Sequence, residues 1–325
     1  MNAVGKSSVV FVTLSGLFWG GWVVGSQTPQ GQEALAKAYE AYAQQQSVTN
    51  EDLFATNALR AIVCGAGGPS MNGGEPKPCL AIVAAGRLFV VDAGSGAAAA
   101  LEHRNIPLSR LQAVLLTSAS LPQSADLDSM YADSARNRQN ALLPVYGPAD
   151  TQRMVQGLND AAGFDGATQG LQACGPSPEP GRSVIVFEGD GLVVSAFTSQ
   201  QDAFAGRVGY RFDYHGRSIV VGGDGHVVSA EAAQDADVVL QGARTQTLAN
   251  LHQDNSISTV AEVAAQAHQA NAGLVVLTSA ADDSVGAALQ VSEARSAGYN
   301  DVIAGRIGML VELPLANTQV NVRPL

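Results

Sequence analysis

Few side chains in this 325-residue chain are equipped for chemistry, and they are scattered. There are five histidines: His103, His215, His226, His252 and His268. His226 lies two residues beyond Asp224, and His252 two residues before Asp254. Either His/Asp pair could begin a metal site, although a lone histidine in a Gly-rich loop is more often simply exposed. His103 falls at the end of an expected helix, where its charge suits the dipole. His215 reads as a hairpin-turn residue and His268 as a helix-face residue. None of these three is assigned a function.

Ser118 and Ser120 raise the question of a serine nucleophile. That chemistry needs a base within reach and a third group to orient it. No Gly-x-Ser-x-Gly elbow is present. Asp126 and Asp128 could act as an acid/base pair, but their surroundings read as a solvated polar loop. Asp224 in Gly222-Gly223-Asp224-Gly225 is read first as a turn aspartate bonding local backbone N–H groups.

The elements that must position these residues alternate in kind. Short strands are expected at 61–64, 80–84, 88–91, 111–117, 143–146, 183–187, 192–197, 208–214, 218–221, 238–240, 274–278 and within 302–313. Hairpins are expected around Gly86 and His215-Gly216. Helices are expected at 97–103, at 150–162 with Asp150 as the cap, and at 259–270. Mixed strands and helices indicate a layered α/β domain. Gly65-Ala66-Gly67-Gly68-Pro69 lacks the Lys-Ser/Thr of a phosphate loop and reads as a turn.

At the N-terminus, Lys6 precedes an apolar run from Val9 to Val24 that holds Trp19 and Trp22, followed by Gly25-Ser26-Gln27. A positive start, an apolar stretch and small residues make a secretory signal peptide over 1–26. The run is only slightly short for a membrane anchor, which is the alternative. Both readings export the chain to a periplasmic or extracellular location, membrane-anchored if the segment is uncleaved. Residues 27–56 form a helical lead segment, with Leu35, Tyr39 and Tyr42 on one side of a helix at 32–46. The main domain is expected over 57–325.

Composition bounds the partners. Apolar residues make up 46% of the chain and charged residues 14%, which is globular and not disordered. The net charge of −11, with no Lys/Arg cluster, argues against nucleic acid and anionic membranes. Cys64, Cys79 and Cys174 form no CxxC or Cys/His zinc spacing. They read first as small buried hydrophobes. Export would also allow one disulfide, with no basis in the sequence for choosing the pair.

The order of segments carries more. Cys64-Gly65-Ala66-Gly67-Gly68-Pro69, Leu88-Phe89-Val90-Val91-Asp92-Ala93-Gly94 and Val114-Leu115-Leu116-Thr117 come first. Leu143-Pro144-Val145-Tyr146-Gly147-Pro148, Val208-Gly209-Tyr210-Arg211-Phe212 and Ser218-Ile219-Val220-Val221-Gly222-Gly223-Asp224 follow. Ala236-Asp237-Val238-Val239-Leu240 and Leu274-Val275-Val276-Leu277-Thr278 complete the series. Over roughly residues 59–314 this resembles the metallo-β-lactamase superfamily, in its ribonuclease Z and arylsulfatase-like branch. The resemblance implies a four-layer αββα sandwich of α/β (α+β) class. It also implies a zinc site at one edge, where bound metal sharpens water into a nucleophile.

The His-x-His-x-Asp-His motif of that family is missing. After Thr117 the chain reads Ser118-Ala119-Ser120-Leu121-Pro122-Gln123. The resemblance places Gln201, Gln241 and Ser279 at further ligand positions and leaves Asp224 as the one retained ligand. Asp92 matches a residue with a structural role beneath the metal. The former metal pocket is therefore Ser118, Ser120, Gln123, Gln201, Asp224 and Ser279, with no catalytic residue and no metal or cofactor expected. Neutral hydroxyls and amides are poor zinc ligands. The expected function is an exported pseudoenzyme that binds a small molecule or protein partner. The alternative is a hydrolase of ester, sulfate-ester or phosphodiester bonds with a metal-free site, or one relocated to Asp224, His226 and His252.

Overall fold

Many strands are near-continuous apolar runs, so each must bury one face against a partner sheet and the other against helices. In the computed structural model they do so in two sheets. The structure describes residues 50–66, 77–135, 141–198, 206–223, 228–246, 258–279 and 284–325. The expected signal or anchor segment lies outside the described residues, as does the helix expected at 32–46.

The strands are β1 (Ala58–Gly65), β2 (Cys79–Ala84), β3 (Arg87–Val91), β4 (Leu111–Leu115), β5 (Ala141–Tyr146), β6 (Gln169–Ala173), β7 (Ser183–Gly189) and β8 (Leu192–Phe197). They continue with β9 (Gly209–Tyr214), β10 (Arg217–Gly223), β11 (Val238–Gln241), β12 (Leu274–Leu277), β13 (Val302–Ala304), β14 (Met309–Pro314) and β15 (Asn321–Pro324). The helices are α1 (Asn50–Leu53), α2 (Ala97–Glu102), α3 (Leu121–Ser124), α4 (Leu127–Ala135), α5 (Thr151–Ala162), α6 (Val260–Gln269) and α7 (Ser284–Ser296).

One sheet has eight strands in the order β15-β14-β1-β2-β3-β4-β5-β6, and the other seven in the order β13-β12-β11-β10-β9-β8-β7. Leu59, Ala61, Val63, Phe89 and Leu115 of the first sheet meet Tyr210, Phe212, Ile219, Val221 and Leu240 of the second in one buried cluster. The intervening residues point outward. Val220, Val239 and Val275 of the second sheet pack instead with Val263, Ala264 and Ala267 of α6 and Ala294 of α7. Helices α2, α4 and α5 cover the first sheet. This is the four-layer αββα sandwich, so the expected fold class holds.

The expected hairpins form where they were read. Ala85-Gly86 and His215-Gly216 take φ of 51° and 70°, and 47° and 81°, the left-handed pair of a tight hairpin turn. Other expectations are corrected. Asp128 lies in a helix and not a loop, and Asp126 in the two-residue turn before it: a proline at the start of α3 and the apolar spacing of Leu127 and Met130 make α3 and α4. The Asp126 carboxylate accepts the Ala98 N–H at 2.7 Å, capping α2. Asp150 stands at the N-cap of α5 but makes no cap bond, because its backbone is already helical there. Its carboxylate pairs with Arg153 at 3.1 Å instead.

Two cysteines are not plain buried hydrophobes. The register of β1 against β2 shifts between Val63 and Gly65, so Cys64 is the extra residue of a bulge beside Cys79. Cys64 and Cys79 form a disulfide, and Cys174 is a half-buried free thiol.

Candidate functional site

The C-terminal ends of β4, β10, β11 and β12 meet at one edge of the sandwich, and a series of short contacts ties them and the described residues beside them together. It begins at Asp92, just past β3, which is buried and has φ of 60°. Its carboxylate accepts the Thr117 N–H at 2.7 Å and the Thr117 hydroxyl at 2.7 Å. Asp92 therefore fixes the point where the chain leaves the sheet for Ser118. Below it, the Tyr210 hydroxyl donates to the Leu116 carbonyl at 2.8 Å. Burial pushes that phenol well above its ordinary pKa, and the Asp92 carboxylate adds to the shift. Across the sandwich, the Val208 N–H donates to the Thr117 carbonyl at 3.0 Å.

Gly223 sits directly against Thr117. With φ of 67°, its position leaves no room for a side chain, since a Cβ would lie 2.6 Å from the Thr117 side chain. Gln241 then reaches back from the end of β11. Fully buried, it donates its amide to the Gly223 carbonyl at 3.0 Å and the Gly242 carbonyl at 3.1 Å. Its amide oxygen accepts from the Val228 N–H at 3.4 Å. The Gln241 carbonyl accepts the Thr278 N–H at 3.0 Å. Finally the Ser279 hydroxyl donates to the Ala243 carbonyl at 2.6 Å and accepts the Ala243 N–H at 2.7 Å.

Residues 118–124 make a second local network. The Ser118 hydroxyl donates to the Ser120 hydroxyl at 3.2 Å and also accepts the Ser120 N–H at 3.2 Å. The Ser120 hydroxyl donates to the Gln123 amide oxygen. The Gln123 carbonyl in turn accepts the Ala93 N–H at 2.7 Å, beside Asp92. An amide oxygen is no base, so this arrangement does not activate either serine.

The structure thus brings Ser118, Ser120, Gln123, Gln241 and Ser279 to one rim. Gln201, Asp224, His226, His252 and Asp254 lie outside the described residues. Of the other histidines, His103 caps the C-terminus of α2, His215 lies in its hairpin turn against Tyr214, and His268 is in the last turn of α6.

The family's zinc can be tested against these side chains. They offer hydroxyl and amide oxygens, all already engaged with backbone or with one another, and such groups do not fit a zinc ion. Among the described residues no three His, Cys, Asp or Glu side chains converge.

Beside this rim lies a cavity of about 480 Å³, lined by Ser118, Ser120, Asp150, Arg153, Met154 and Arg207 among others. The two arginines were missed from the sequence. Neither belongs to the family's ligand motif, and they lie 54 positions apart on different elements. The one available signal was Arg207 standing immediately before the strand that faces Thr117.

Comparison with known proteins agrees with this frame. A family model described as "Beta-lactamase superfamily domain" matches residues 87–278. A ribonuclease Z from Mycolicibacterium paratuberculosis is 24% identical over 243 residues, covering 68% of this chain and 85% of that protein. One from Mycolicibacterium gilvum is likewise 24% identical, over 68% of this chain and 83% of its own length. Among solved structures, the metallo-beta-lactamase fold protein YhfI from Bacillus subtilis aligns with a TM-score of 0.64 at 16% identity. That alignment spans 79% of this chain and 99% of YhfI. Human tRNase Z, short form, aligns with a TM-score of 0.62 at 16% identity, over 78% of this chain and 99% of that one.

Proposed function

The chain belongs to the beta-lactamase superfamily, and we propose that it is a non-catalytic member, exported from the cytoplasm, that has given up the metal and uses the remaining cleft to bind a small molecule. One observation carries this reading. Where the fold asks for imidazole, the chain supplies Gln241, whose amide is fully buried and bonded to the Gly223 and Gly242 carbonyls. The amide nitrogen is spent on the loops themselves, and the neutral amide oxygen, which accepts from the Val228 N–H, is a poor zinc ligand. The Ser279 hydroxyl is likewise bonded to the Ala243 backbone, and those of Ser118 and Ser120 bond to each other and to Gln123 at the cavity edge.

Export is supported by the Lys6-then-apolar N-terminus and by the Cys64–Cys79 disulfide, because such bridges persist in oxidising compartments. The cleft is of the size of ordinary ligand sites, which run from ~300 to 1,000 Å³.

The test is a panel of carboxylic ester, sulfate-ester and phosphodiester substrates, assayed with added zinc and with chelator. The expected result is no turnover that zinc restores or chelator removes. Turnover abolished by chelator and recovered with zinc would establish the hydrolase instead.

A further inference from the structure

Strand β15 ends one sheet and β13 ends the other, and the two edges flank a long groove walled by α7. Its volume is about 1480 Å³. Compact metabolites occupy sites of ~300 to 1,000 Å³, so a groove of this size suits an elongated ligand. It shares no lining residue with the cavity at Thr117. Val291, Val302, Ile303, Ile307, Met309 and Val322 give it an apolar surface.

Its charge is opposite to that of the chain and unevenly placed. The sequence holds 18 Lys and Arg against 29 Asp and Glu, whereas the groove is lined by Arg295, Arg306 and Arg323 against Asp301. Arg295, in the last turn of α7, and Asp301 stand at the end where β13 begins. Arg306 and Arg323 stand at the other end, where the chain passes through Gly308 into β14. Glu312 comes only within 3.8 Å of Arg323 and is held by Arg60 at 2.7 Å. Behind Gly308 lies Arg104, whose Nε would be 3.1 Å from a Cβ at that glycine. Its guanidinium donates to a neutral partner, the Ala100 carbonyl, at 2.9 Å. Burial lowers its pKa, so its charged form gains from an anion nearby.

We propose that this groove binds a free single-chain carboxylate of fatty-acid type, its head at Arg306 and Arg323 and its chain laid along β13 against α7. A carboxylate accepts paired bonds from a guanidinium, and the basic end concentrates an anion that the rest of the surface repels. The apolar lining removes the chain from water, and each buried methylene tightens binding about threefold to fourfold. The inference goes beyond the reading of the Thr117 cleft and does not depend on it.

The experiment is calorimetric titration of the purified full chain with dodecanoate kept below its micelle concentration. Butyrate, dodecyltrimethylammonium and vesicles of phosphatidylcholine with phosphatidylglycerol are the comparison ligands. Saturable one-site binding of dodecanoate is expected. Butyrate, eight methylenes shorter, should bind at least about a hundredfold more weakly. Dodecyltrimethylammonium, with the same chain and the opposite charge, should show no saturable binding. Arg306→Gln and Arg323→Gln should each weaken dodecanoate binding about tenfold, the loss of a charge-assisted donor. Both side chains are exposed, so neither variant endangers the fold. Ala288→Glu, on the exposed part of the α7 wall, should abolish binding by filling the groove with a carboxylate. Arg153→Gln at the other cavity should leave binding unchanged. No saturable binding of dodecanoate, or binding indifferent to Ala288→Glu and to both groove arginines, overturns the proposal. Equal binding of the cationic amphiphile overturns it as well. Binding to the anionic vesicles with none to the monomer overturns it in favour of a membrane surface.

Discussion

Gln241 and Gly222 make the account's structural core open to a double-mutant test. A methyl group at Gly222 would overlap the Gln241 amide oxygen and lie 2.5 Å from Val228 Cγ2. Such overpacking costs about 1–3 kcal/mol. Gln241→Ala removes two well-formed hydrogen bonds, at 3.0 and 3.1 Å, and a longer one at 3.4 Å. At about 1 kcal/mol for each good bond, plus the void left by the amide, the loss is about 3 kcal/mol. It is moderated because the Gly223 carbonyl keeps the Gly242 N–H at 3.3 Å. In the double variant the nearest obstacle to the new methyl is gone. The cost of Gly222→Ala should then fall, giving a coupling of at least about 1 kcal/mol. Urea unfolding of the wild type, both single variants and the double variant measures it. Costs that simply add would refute the idea that Gln241 is wedged against Gly222 as a structural part.

The remaining predictions concern the frame around the site. Opening the Cys64–Cys79 bridge, whose ends are 15 residues apart, should cost about 3 kcal/mol, read as a lower unfolding midpoint in reductant or in Cys64→Ser/Cys79→Ser. Asp92→Ala strands the Thr117 N–H and hydroxyl and should cost about 2–4 kcal/mol by the same urea assay. The Tyr299 hydroxyl donates to the Ala272 and Gly273 carbonyls at 2.7 and 2.9 Å. Burial, with the Asp301 carboxylate second, pushes its pKa up to about 12. The folded state thus holds this proton more tightly than the unfolded one, whose phenol ionises near pH ~10. The resulting stability is present below that value and fades as pH rises through about 12. Tyr299→Phe should flatten this alkaline loss in unfolding measured from pH 8 upward.

Most of the fold was legible because local signals agreed with the global one. The paired left-handed residues at Ala85-Gly86 and His215-Gly216, and the apolar runs of β10, β11 and β12, each point to one structure. The weak elements were missed for physical reasons. In β6 the pattern is Gln169-Gly170-Leu171-Gln172-Ala173, an edge strand with little to bury. Helix α7 is stabilised by packing on α6 and β13 and not by a strong apolar stripe, so it has no clear periodicity.

At the site, residue types alone showed what chemistry was missing, but not what replaced it. The inward turn of Gln241 depends on Gly222 and Gly223 leaving room, a relation between strands that no spacing within one strand reveals. The arginine-lined cavity depends on α5 and the segment before β9 meeting beside the Thr117 loop.

The central claim is that the cleft holds its loops together with amides and hydroxyls and no longer grips a metal. Elemental analysis of the full chain, purified without chelator, tests it most directly. The account predicts only trace zinc, iron and manganese, unchanged in Asp224→Ala. Near-stoichiometric metal in the wild type, lost in that variant, would contradict it.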